Sequence, residues 1–108
     1  MPKSVYTSRA FLDAEMAKVF GREWYCAGRA SSLKDAGDYI AFELAGQPLM
    51  VIRGKDGEAR CQSNVCLHRM STLLEGRGNA RLITCPYHGW TYGADGTLRA
   101  APAMKANE

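Results

Sequence analysis

Along residues 8–20, SRAFLDAEMAKVF, the apolar positions Phe11, Leu12, Met16, Val19 and Phe20 recur with a period near 3.6 and share one helix face. Thr7 or Ser8 supplies the N-cap oxygen and Gly21 the stop. The apolar face predicts docking on the chain's own domain or on a neighbouring subunit. From Trp24 the rhythm changes to short runs rich in aromatic and β-branched residues, broken by Gly, Asp and Asn. These predict strands at WYCAGR (24–29), DYIAFEL (38–44), PLMVIR (48–53) and EARCQSNV (58–65), with turns at AGQ (45–47) and GKDG (54–57). A later group, RLITC (81–85), TY (91–92) and TLRA (97–100), is joined by the tight turn GADG at 93–96. Gly76 and Gly78 supply turn conformations between the two groups. No internal repeat is apparent. The expected organisation is a helical segment over 1–22, a small antiparallel β domain over 23–102, and a small, polar tail or linker over 103–108.

A chain of 108 residues suffices for one domain with a modest core, and 46% hydrophobic with 23% charged residues is an ordinary globular balance. The net charge of +3, from 14 basic and 11 acidic side chains without a run of five like charges, gives no argument for nucleic acid or an anionic membrane as partner. The opening MPKSVYTSRAF lacks the apolar core of a signal peptide, and no stretch reaches the apolar length of a membrane span. A cytoplasmic protein is expected. In that reducing compartment cysteines bind metal or fill the core more often than they pair.

The chemistry concentrates in NVCLH (64–68) and CPYHGW (85–90), which hold both histidines and two of the four cysteines. Cys66 and His68 are separated by one residue, Cys85 and His88 by two, and sixteen residues lie between the pairs. Each pair follows a predicted strand, where two facing loops would offer two thiolates and two imidazoles to one centre. A tetrahedral zinc site takes that set, and so does a [2Fe–2S] cluster in which histidine replaces cysteine on one iron. Ligand count alone leaves both open. LEGRGNA, at 74–80, lacks the strand and helix that a phosphate-binding loop needs on either side. Cys26 and Cys61, inside predicted strands and far from histidine, are expected in the core.

The wider phrases CLHR and CPYHGWTY, with the CxH and CxxH spacing, resemble the Rieske family over about residues 24–101. The resemblance implies a mostly β fold, a small antiparallel β-sandwich of the Rieske (ISP-like) type with two cluster-binding loops, preceded here by one helix. It implies that Cys66 and Cys85 ligate one iron of a [2Fe–2S] cluster and His68 and His88 the other, nearer the surface; Trp90 is expected to shield the cluster from water, to pack in the core, or both. High-potential relatives add a cysteine to each loop, where this chain has Ser71 and Tyr87, and a serine hydroxyl near a sulfur, where it has Trp90. A low potential is therefore expected, with Tyr92 either donating one hydrogen bond to sulfur or serving as a core tyrosine. Arg69 is expected to pair with a carboxylate near the cluster or on a partner, or to be an ordinary surface residue. Met70 stands where many relatives carry glycine, its bulk expected to press on the loop.

Within the family, His68–Arg69, CPYHGWTY and the helix leading into REWYCAGR look like the N-terminal part of the large (alpha) subunit of a ring-hydroxylating or demethylating oxygenase. Such enzymes hold a mononuclear Fe(II) in two histidines and a carboxylate of a larger domain. Only His68 and His88 exist here, so no catalytic residue is assigned and the chain is not expected to oxygenate a substrate alone. The resemblance implies a ferredoxin or flavin reductase as electron donor and, as acceptor, a catalytic domain absent from this chain, in such enzymes often that of a neighbouring subunit in a trimer. The alternatives are a stand-alone Rieske ferredoxin and a zinc-stabilised binding module.

Overall fold

The computed structural model describes residues 1–104. A 3-10 turn, Lys3–Tyr6, precedes α1, Arg9–Glu15. Ser8, not Thr7, is the N-cap, its Oγ accepting the Phe11 N–H at 3.3 Å. The helix runs on as a π-helical turn, Met16–Phe20, and stops at Gly21 as the sequence predicts. Its apolar face does not dock on the chain's own sheets. Phe11, Leu12, Met16, Val19 and Phe20 each remain about 40% exposed or more, and no residue of the helix is buried.

Among the described residues seven strands form two antiparallel sheets, as the sandwich expectation requires. The larger has the order β3-β2-β1-β4, with β1 Asp38–Leu44, β2 Gln47–Arg53, β3 Ala59–Ser63 and β4 Arg77–Asn79. The smaller has the order β5-β6-β7, with β5 Leu82–Thr84, β6 Thr91–Gly93 and β7 Leu98–Ala100. Alternation decides which residues go inward. Met50 and Ile52 of β2 meet Ile83 of β5 and Tyr92 of β6 between the sheets, with Leu73, Trp90, Cys66 and Cys85 completing the core. Gln62, paired with Met50, donates across to the Ala94 carbonyl at 2.7 Å and ties the sheets together.

Three expectations fail, each for a reason of pairing. Residues 24–29 are not a strand: both edges of β1 are taken by β2 and β4, so the segment crosses the outer sheet face. There Tyr25 stacks on Phe42, while Arg53 donates to the Leu33 carbonyl at 2.8 Å and the Ala30 carbonyl at 3.4 Å. Cys26 is consequently exposed. Cys61, opposite Val51 on the same outer face, is exposed as well, so neither is a core residue. Gly78 lies not in a turn but in β4 opposite Tyr39, where any Cβ would meet the tyrosine ring at about 3 Å.

One repeat escaped the sequence reading. The pattern Gly-x-Asp-Gly-x-x-Arg occurs at 54–60 and at 93–99, and both copies fold alike. In each hairpin the aspartate accepts a backbone N–H two residues on and pairs with the arginine four residues on. Among the described residues no helix is long and apolar enough to cross a membrane. Of the expected tail, residues 105–108 lie outside the described residues.

Candidate metal centre

The two Cys/His loops are backbone twins. A bridge between Val65 and Thr72 closes the first, and the pairing of Thr84 with Thr91 closes the second, over the same number of residues. In the first, the Cys66 N–H donates to the Ser71 carbonyl and the Met70 N–H to the Cys66 carbonyl, both at 2.8 Å. In the second, the Cys85 N–H donates to the Trp90 carbonyl at 2.8 Å and the Gly89 N–H to the Cys85 carbonyl at 3.0 Å. The fourth residue after each cysteine takes the left-handed conformation, with φ 57° at Met70 and 74° at Gly89. Met70 thus pays a backbone strain that glycine avoids. Its side chain is largely exposed and does not press on the loop.

Identical frames put both cysteines at the first position of the turn, pointing into the core. Both are buried in the same core cluster and are free thiols. The histidines sit at the exposed tips, their ring centroids 4.8 Å apart. Donors are thus segregated by type, a thiol pair inside and an imidazole pair outside. Among the described residues no three His, Cys, Asp or Glu side chains are grouped to hold one ion. A two-plus-two division is what a binuclear centre with one thiolate-bound and one imidazole-bound iron asks of its protein.

Sulfur charge is provided for. Burial pushes the Cys66 thiol pKa up, but hydrogen bonds from the Tyr92 hydroxyl, the His68 N–H, the Cys85 thiol and the Arg69 N–H outweigh it and leave the thiol below its usual range. Tyr92 is buried, and its own pKa is raised, first by that burial and then by its bond to Cys66. Trp90 is also buried and stacks on His68, and its Nε1–H has no acceptor among the described residues. An unpaired buried donor in the core cluster that holds both thiols suits a group rich in acceptors, such as one containing inorganic sulfide. The donor set and its surroundings fit a [2Fe–2S] cluster.

Arg69 is exposed at the tip and forms no salt bridge among the described residues. Sequence reasoning missed Asn64, which is buried at the base of the first loop. Its side chain donates to the Leu74 carbonyl at 2.7 Å and accepts the Leu74 N–H at 2.9 Å. A polar residue at an inward strand position was the available signal.

Residues 23–108 match the family described as the Rieske [2Fe-2S] domain. The carnitine monooxygenase oxygenase subunit of Acinetobacter baumannii is 43% identical over 93% of this chain and 27% of its own length. The biphenyl 2,3-dioxygenase subunit alpha of Rhodococcus jostii is 38% identical over 91% of this chain and 22% of its own. Among solved structures, the apo form of the quaternary ammonium Rieske monooxygenase CntA superposes with a TM-score of 0.90 and 41% identity, covering 95% of this chain and 30% of that one. Naphthalene 1,2-dioxygenase from Rhodococcus sp. gives a TM-score of 0.90 at 32% identity, covering 95% of this chain and 24% of that one. The chain spans about a quarter of the length of these relatives.

Proposed function

The chain belongs to the Rieske [2Fe–2S] family, and from that premise we propose that Cys66 and Cys85 hold one iron of the cluster and His68 and His88 the other, in a domain that relays single electrons within an oxygenase. The observation that carries this reading is the segregation of buried thiols from exposed imidazoles on twin loops. When bound, the cluster supplies reversible one-electron transfer.

The chain's own residues divide the remaining work. Cys66 and Cys85 keep the thiolate end inside the core, away from water and oxidants. The Tyr92 hydroxyl and the loop N–H groups stabilise negative charge on Cys66. Trp90 covers the inner side of His68 and keeps solvent from the centre. His68 and His88 leave an outward ring nitrogen to hydrogen-bond a carboxylate of the acceptor, which shortens the electron path.

The donor in this reading is a ferredoxin or flavin reductase. The acceptor is a mononuclear iron in a catalytic domain, held by a neighbouring subunit. Support for the latter is that one CntA structure is described in terms of inter-subunit electron transfer. The reaction served is oxygenation, either of an aromatic ring or of a quaternary ammonium compound, and the higher identity to carnitine monooxygenase than to biphenyl dioxygenase favours the second. Four free thiols, two of them exposed, suit a cytoplasmic protein.

Electron paramagnetic resonance of the dithionite-reduced protein, alongside iron, zinc and sulfide analysis, tests the proposal. The expected result is a red-brown protein with equal iron and acid-labile sulfide, and a reduced signal whose average g lies below the free-electron value. A colourless, silent protein holding zinc without sulfide would overturn it.

A further inference from the structure

The two imidazoles of the centre are held by different means. The His68 ring lies parallel to the Trp90 indole, the planes 6° apart and the centroids separated by 4.8 Å. His88 instead leans at 35° against Tyr87, a ring that is more than half exposed. Trp90 is buried, and its backbone carbonyl receives the Cys85 N–H. A side chain anchored in the second loop therefore sets the face on which the first loop's histidine rests.

The torsion that turns an imidazole about its bond to Cβ is broad, so an unsupported ring samples many planes. A parallel aromatic neighbour that cannot itself move removes that freedom. We propose that Trp90 is a positioning residue that fixes the plane of His68 as a cluster ligand, an office that no buried ring performs for His88. The inference rests on His68 being a ligand. Indole is not required for stacking alone, since any flat ring of similar size presents the same face. Substitutions that keep a plane can therefore be set against those that remove it.

The test is pulsed electron paramagnetic resonance of the reduced holoprotein labelled with [15N]histidine. The chain has only two histidines, so the spectrum carries two ligand couplings. Trp90→Phe and Trp90→Tyr lose the indole N–H but keep a ring, so both couplings are expected to stay as sharp and as well separated as in the native protein. Trp90→Leu and Trp90→Met remove it, and one coupling is expected to shift and broaden while the other holds. Two unchanged couplings in the aliphatic variants, with only a lower melting temperature, would reduce Trp90 to core packing and overturn the proposal. Equal changes in both couplings would overturn it too, as a general loosening. Failure of the underlying ligand reading is distinguishable, because the native protein would then show fewer than two nitrogen couplings.

Discussion

The Tyr92 hydroxyl accepts the Leu67 N–H at 3.1 Å and lies 3.3 Å from the Cys66 sulfur, so its own proton is left for that sulfur. A hydrogen bond to a ligating thiolate favours the reduced, more negative state. Tyr92→Phe is therefore expected to lower the reduction potential. A net bond of about 1 kcal/mol corresponds to roughly 40 mV for one electron. Direct electrochemistry of the two proteins measures it, and a potential that rises or stays level would refute the donor role.

The ligand assignment predicts distinct losses. Cys66→Ser or Cys85→Ser is expected to abolish the cluster and to destabilise the domain, because both sulfurs sit in the core. His68→Cys is expected to keep a cluster, move its spectrum towards that of an all-thiolate centre and lower the potential. Iron and sulfide content with visible circular dichroism reads both. A folded Cys66→Ser protein with full iron, or an unchanged His68→Cys spectrum, would remove that residue from the ligand set.

Met70 and Gly89 occupy the same left-handed position in twin loops, and only one is glycine. Met70→Gly should raise stability by about 0.5–1 kcal/mol, the strain relieved less the entropy glycine adds to the unfolded chain. That corresponds to a melting temperature higher by roughly 3–6 °C. Gly89→Ala should lower stability by about 1 kcal/mol through backbone conformation alone, since its Cβ would meet nothing closer than Pro102 at 3.7 Å. Thermal denaturation of both variants decides, and opposite signs are the signature.

The apolar face of α1 covers none of the sandwich core. Phe11→Ser with Val19→Ser is expected to change the unfolding free energy of the β domain by less than about 0.5 kcal/mol, as for surface sites. Urea denaturation followed by circular dichroism measures this, and a loss of several kcal/mol would mean that the face packs on the sheets after all.

Acid should loosen the hairpins. The Arg60 side chain, then the Glu58 N–H, hold the Asp56 pKa down to about 2, below the ordinary carboxylate range. Asp95 is lowered by the Thr97 hydroxyl and N–H, with a further contribution from Arg99, and Asp38 by Asn79 and the Asp35 N–H. Carboxylates with depressed folded-state values stabilise the fold above the unfolded pKa and lose that contribution as pH falls through the folded one. The melting temperature should therefore decline between about pH 4 and pH 2, and Asp56→Asn should flatten part of the decline.

Local pattern was enough for much of this molecule. β1 occupies the predicted residues 38–44, and β2 and β3 fall within a residue or two of their expected bounds. Alternation and turn chemistry are properties of adjacent residues, so they can be read without knowing what pairs with what. The same holds for the four Cys and His residues, whose spacing is written in two short phrases. β4, Arg77–Asn79, was illegible because RGN carries no strand signal of its own. It forms because β1 offers a free edge, Gly78 leaves room for the Tyr39 ring, and the Asn79 side chain donates to Ala36 and Asp38.

What the sequence by itself determined is the fold class and the two short phrases that carry the candidate donors, all written in neighbours along the chain. Only the tertiary structure decided that thiols point inward and imidazoles outward, that Tyr92 reaches Cys66, and that Trp90 lies flat on His68. The reason is physical: these relations join residues far apart in the chain, and their geometry exists only once two sheets have packed and brought two loops together.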